Sequence, residues 1–221
     1  MARTKKKAKP KKIVPSKTIS SFKEGLKYPW GVPRRLWNIL WMLLPIMGLL
    51  VIMGYLQDRL WALLPMVGLV AISLLAIVGY FQRIVRAIVA GNKTHLPEFG
   101  SFWENAKKGF ILLVKMIPLM LVYSLVYYTP FIGLWAGWFV EIFFMPYLMI
   151  NLFVTDKFEE SFNIRKTWDA VFGNVQEYLV AYVKTIGFIV IYMAASFIIV
   201  GIPCLAFAQV FFLAEFYANH S

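Results

Sequence analysis

GYFQRIVRAIVAGNKTHLPEFGSFWENAKK, residues 79–108, is the longest polar interval between two long apolar runs of this chain. Its first part continues the preceding helix, with Arg83 and Arg86 three apart on one face. Gly91 suits a helix end, and Asn92-Lys93-Thr94 makes a turn. Pro97 fixes the backbone of Leu96-Pro97-Glu98-Phe99. Ser101 and Glu104 have the S-x-x-E spacing of a capping box, which predicts a new helix from Phe102. Phe102, Trp103 and Ala106 give that helix an apolar side, and Lys107 and Lys108 a basic end. It reads as an amphipathic helix at a membrane surface, ending before Gly109.

On either side the chain is written for lipid. Hydrophobic residues make up 60% of it, more than a soluble domain of this length carries. Before the central interval, runs at about 36–56 and 60–81 each approach the roughly twenty residues that cross a hydrocarbon core. Gln57-Asp58-Arg59 is the short turn between them. After the interval come runs at about 109–129, 131–153, 178–200 and 204–218. A second polar interval, 154–177, predicts another interfacial helix, with Asp156 and Glu159 as caps. Ile164, Trp168, Val171 and Val175 would form its apolar face. The expected fold is all-α: a polytopic helical membrane protein with about six transmembrane helices and two cytoplasmic interfacial helices. FWENAKKGFILLVKMI can also be laid beside TWDAVFGNVQEYLVAYVKTI, which makes Lys115 and Lys184 equivalent in a weak parallel repeat.

Charge gives the orientation. The net charge is +12, and residues 1–28 hold ten basic side chains against the single Glu24. Residues 1–27 read as a disordered basic arm, with Lys5, Lys6, Lys7, Lys9, Lys11 and Lys12 at its centre, ahead of a membrane domain at 28–221. With the arm inside, Arg34, Arg35, Arg83, Arg86, Lys93, Lys107, Lys108, Lys157, Arg165 and Lys166 share its side, and only Arg59 faces outward. The basic-residue rule then predicts a multi-pass protein of the cell membrane with both termini cytoplasmic. The arm suits anionic lipid or another acidic partner. Nucleic acid is less favoured, because no aromatic interleaves the lysines.

Few residues offer chemistry. Glu141 stands alone inside an apolar run, where a charge costs at least roughly 2.5 kcal/mol. It must be protonated, paired or turned toward water. Lys115 and Lys184 lie about six residues inside their spans, within reach of the surface by snorkelling. The single Cys204 and two histidines exclude a disulfide and give no metal set. There is no Ser/His/Asp set, phosphate loop or HExxH, so neither an enzyme nor a cofactor is expected.

Tyr28-Pro29-Trp30, then Gly79-Tyr80, Arg83, Arg86, Gly91, Leu96-Pro97-Glu98-Phe99, Trp103 and Lys108-Gly109, resemble the signature of domain-of-unknown-function family 4013. That family is one of largely archaeal membrane proteins. Pro146-Tyr147, Phe162 and Glu177-Tyr178-Leu179 are similar to it as well. The resemblance covers about residues 26–218 and implies a polytopic helical fold, with no activity attached. Two functions are therefore expected from different classes. The first is a membrane scaffold or partner-binding subunit whose arm and cytoplasmic face recruit a partner, other membrane subunits included. The alternative is a small-solute or ion transporter with Glu141 as its intramembrane site.

Overall fold

The computed structural model describes residues 19–55, 64–198 and 201–221. The arm lysines Lys5 to Lys12 and the Gln57-Asp58-Arg59 turn lie outside the described residues. Among the described residues every regular element is a helix: α1 (Phe22–Lys27), α2 (Pro33–Tyr55), α3 (Leu64–Val89), α4 (Phe102–Tyr127), α5 (Gly133–Phe143), α6 (Met145–Thr155), α7 (Ile164–Gly173), α8 (Val175–Ala195), α9 (Gly201–Ala208) and α10 (Phe211–His220).

Three of these, α3, α4 and α8, are long and apolar enough to cross a membrane. The pair α5 and α6, bent by 45° at its break, makes a fourth if counted as one span. The chain thus has the helices of a membrane protein. Its aromatics support this. Trp30, Trp37 and Trp103 are exposed near the starts of α2 and α4, and Tyr128, Phe131, Trp135 and Trp138 at the far end of α4. Trp103 and Tyr127 stand about 36 Å apart along one helix at 1.5 Å per residue. That separation suits the two interfaces of a bilayer.

The hairpin of α3 and α4 is the tightest contact in the fold. A Cβ on Gly79 would overlap the carbonyl oxygen of Asn105, and one on Gly109 that of Leu75. Small residues let the two backbones touch, as membrane helices require when burial from water cannot hold them together. The same crossing explains one departure from the sequence reading. No separate interfacial helix ends before Gly109, because that glycine is a contact and not a break, and α4 runs unbroken through it. Ser101 is the N-cap of α4 but its side chain makes no capping bond; Glu104 turns to Arg83 and Lys108 instead.

The second polar interval does hold a helix, α7. Asn163 caps it, accepting from the Lys166 N–H at 3.1 Å, while Asp156 takes a left-handed φ of 57° and closes α6. The expected apolar face is divided. Val171 is buried with Ala170 and Thr167, whereas Ile164 and Trp168 face outward.

Two more departures concern the ends of the chain. Phe22–Lys27, expected within the arm, is helix α1 with a complete capping box between Ser21 and Glu24. Glu24 is held below the usual carboxylate range, first by the Ser21 backbone N–H and then by its hydroxyl. The run at 204–218 is not one helix. α9 has 8 residues and α10 has 10, too few for either to cross alone. They turn back along α8: Gly201 abuts Tyr192 and Ser196, and His220 lies 3.3 Å from Glu177 in the first turn of α8. α10 is buried from Phe211 through Tyr217, packed against α3, α6 and α8. Apart from Glu215 this buried stretch is apolar on every side, and its residues belong to the main core. The two halves of the sequence repeat also differ, since the first is the single helix α4 and the second is broken between α7 and α8.

Candidate functional site

The central motif builds a polar collar at the end of the bundle where α3 ends and α4 begins. Gly91, at φ 91°, lets the chain leave α3: the Asn92 N–H donates to Ala87 and the Gly91 N–H to Ile88. The loop that follows is then tied back by its carbonyls. Tyr80 donates its hydroxyl to Pro97 at 2.8 Å, Arg83 and Asn105 donate to Phe99, and Arg35 donates to Leu96. Arg35 also pairs with the exposed Glu98 at 3.3 Å. Arg86 turns elsewhere. Its Nε and the Gln82 amide both donate to the Phe153 carbonyl in the last turn of α6. Arginine there satisfies an orphan carbonyl and favours the negative helix end. Trp103 faces outward and takes no part in the collar.

The lysines inside the spans are also engaged. Lys115 donates at 2.7 Å to both the carbonyl and the carboxylate of Asp156, at the end of α6. Lys184 donates to the Ser20 carbonyl at 2.9 Å. Sequence reasoning missed the group at the centre of that second contact. Glu215 of α10 is fully buried, pairs with Lys93, and accepts from both the N–H and the hydroxyl of Ser20. Its signal was the same as that of Glu141, a lone acid in an apolar run.

Glu141 belongs to a different setting. It is not joined by Lys115 or Lys184; its carboxylate accepts from the Tyr123 hydroxyl at 2.9 Å. Both residues line a cleft of about 490 Å³ bounded by α3, α4, α5, α6, α8 and the α9/α10 junction. Tyr182, Thr185 and Gln209 are its other polar side chains. No lysine, arginine or histidine lines it, and no described cation lies within ion-pair distance of Glu141.

Two helix breaks open onto this cleft. At the first, Pro146 lies in the first turn of α6 and has no N–H for the Ile142 carbonyl four residues back. The freed carbonyl accepts from the Tyr178 hydroxyl of α8. Pro146 and Tyr178, quoted separately from the sequence, thus serve one feature. The second break is the turn at Gln209 and Val210 between α9 and α10. Met145, Pro146, Gln209 and Val210 all line the cleft. Among the described residues no group of three or more His, Cys, Asp and Glu side chains is placed to hold a metal ion.

Comparison with protein-family models, curated proteins and solved structures finds no match. The resemblance to family 4013 rests on the motif residues alone.

Proposed function

We propose that this chain is a small-solute or ion carrier of the cell membrane and that Glu141 is its intramembrane site. One observation carries the reading: two helix breaks and an unpaired carboxylate meet at a single cleft. Broken spans are tolerated inside a bilayer only where they are buried or line a cavity, and carriers place their sites at such breaks. An intramembrane acid without a cation beside it fits a path for protons or cations.

In this reading α2, α3, α4, the bent pair α5/α6, α8 and the returning pair α9/α10 are the six crossings. The collar is then cytoplasmic and both termini lie on its side, as the basic-residue bias requires. The basic charge of the arm suits anionic lipid on that side of the membrane. The scaffold reading draws less from the motif arginines, which are engaged within the chain: Arg35 on Glu98, Arg83 on Glu104 and Arg86 on Phe153, with Lys93 on Glu215.

The test is proton flux into vesicles carrying the purified full chain, read by a trapped pH dye under an imposed gradient. The expected result is flux above that of empty vesicles, lost in Glu141→Gln. Equal flux in wild type, variant and empty vesicles would contradict it.

A further inference from the structure

We propose that the cleft takes a monovalent organic cation with an apolar body. The inference rests on the carrier reading of the same cleft and names the class of solute. It starts from charge. The lining brings one carboxylate and no basic side chain, so a neutral or anionic guest would leave Glu141 uncompensated. An inorganic cation is poorly served. Calcium or magnesium asks for six or more oxygens, and the polar lining is one carboxylate, two phenols, one amide and Thr185. The Thr185 hydroxyl is already committed to the Ala181 carbonyl at 2.9 Å.

The remainder of the wall suits carbon. Met120, Met145 and Met149 supply flexible, polarisable surface that adapts to varied shapes. Phe81, Phe153, Tyr123 and Tyr182 supply aromatic surface, and an aromatic ring attracts a cation by its quadrupole. The volume, about 490 Å³, lies within the range of small-molecule sites. A carboxylate held by one phenol at one side of an aromatic and methionine wall recognises positive charge spread over an apolar frame. Tyr123 keeps the carboxylate aimed into the cleft.

The experiment is calorimetric titration of the full chain in micelles with tetraphenylphosphonium and, separately, with tetraphenylborate, each corrected for protein-free micelles. The two ions share shape and apolar surface and differ in charge. The expected result is saturable binding of the cation alone, weakened at least tenfold in Glu141→Gln. Equal binding of both ions to the wild type overturns the inference without recourse to any variant. Cation binding unchanged in a folded Glu141→Gln overturns it too. Failure of the cation to bind, with Glu141-dependent proton flux intact in vesicles, overturns the organic-cation inference and leaves the carrier reading standing. Saturable, Glu141-dependent cation binding without any flux supports the site and removes carriage.

Discussion

Glu215 and Glu141 are each a lone acid in apolar sequence, and their surroundings divide them. Glu215 is fully buried and takes three contacts from two distant residues, Ser20 and Lys93, so its charge fastens Ser20 and the collar loop to α10. Removing its cation should be costly, because the carboxylate would stay buried. We expect Lys93→Met to destabilise the solubilised protein by about 3 kcal/mol, the low end for breaking a buried pair, since Lys93 is partly exposed. Glu215→Gln removes the charge along with the need for Lys93 and should cost less. Thermal unfolding of the two variants checks the order; equal, small losses would show that the pair does not fasten these segments. Glu141, by contrast, has only the Tyr123 hydroxyl, which is why function is sought there.

At the scale of elements, the α3/α4 hairpin and the α5/α6 bend are set by single residues. Gly79→Ala forces a methyl into the Asn105 carbonyl and should cost about 1–3 kcal/mol. Gly68→Ala in the same helix has open space around it and should cost nothing. Equal melting temperatures for the two would refute the close crossing. At the bend, Tyr178→Phe leaves the Ile142 carbonyl without its donor, a loss of about 1–3 kcal/mol. In Pro146→Ala the restored N–H can serve that carbonyl, so Tyr178→Phe should then cost less. Strict additivity in the double-mutant cycle would mean that the two residues do not act on one bond.

These elements also show what the sequence could and could not disclose. The helix end at Gly91 was legible, because turn chemistry is local, whereas the spacing of Arg83 and Arg86 did not disclose that they part to different partners, Phe99 and Glu104 for one and Phe153 for the other. The bend was not, because a proline in an apolar run reads equally as a tolerated residue, and the deciding hydroxyl, Tyr178, comes from another helix. The fate of α10 was hidden for a similar reason: an apolar segment with a single acid is written alike for lipid and for a protein core. Ser101 misled because its spacing promised a cap, while Arg83, brought close only by the folded hairpin, claimed Glu104.

For the whole molecule, the proposed carrier is closed at the collar and open within the membrane at its two breaks, so that Glu141 faces a wet cleft. Neighbouring residues of α8 allow a direct comparison. Tyr182 lines the cleft, whereas Val183, one residue on and at nearly the same depth, is 64% exposed on the outer surface. Gln209, at the turn between α9 and α10, lines the cleft as well. The native Cys204 is fully buried and serves as a silent background. The measurement is labelling of Tyr182→Cys, Val183→Cys and Gln209→Cys in sealed vesicles with a membrane-impermeant reagent that needs a hydrated thiolate. A wet cleft requires labelling at 182 and 209 and none at 183. Labelling at 183 alone, or at none of the three, would contradict it.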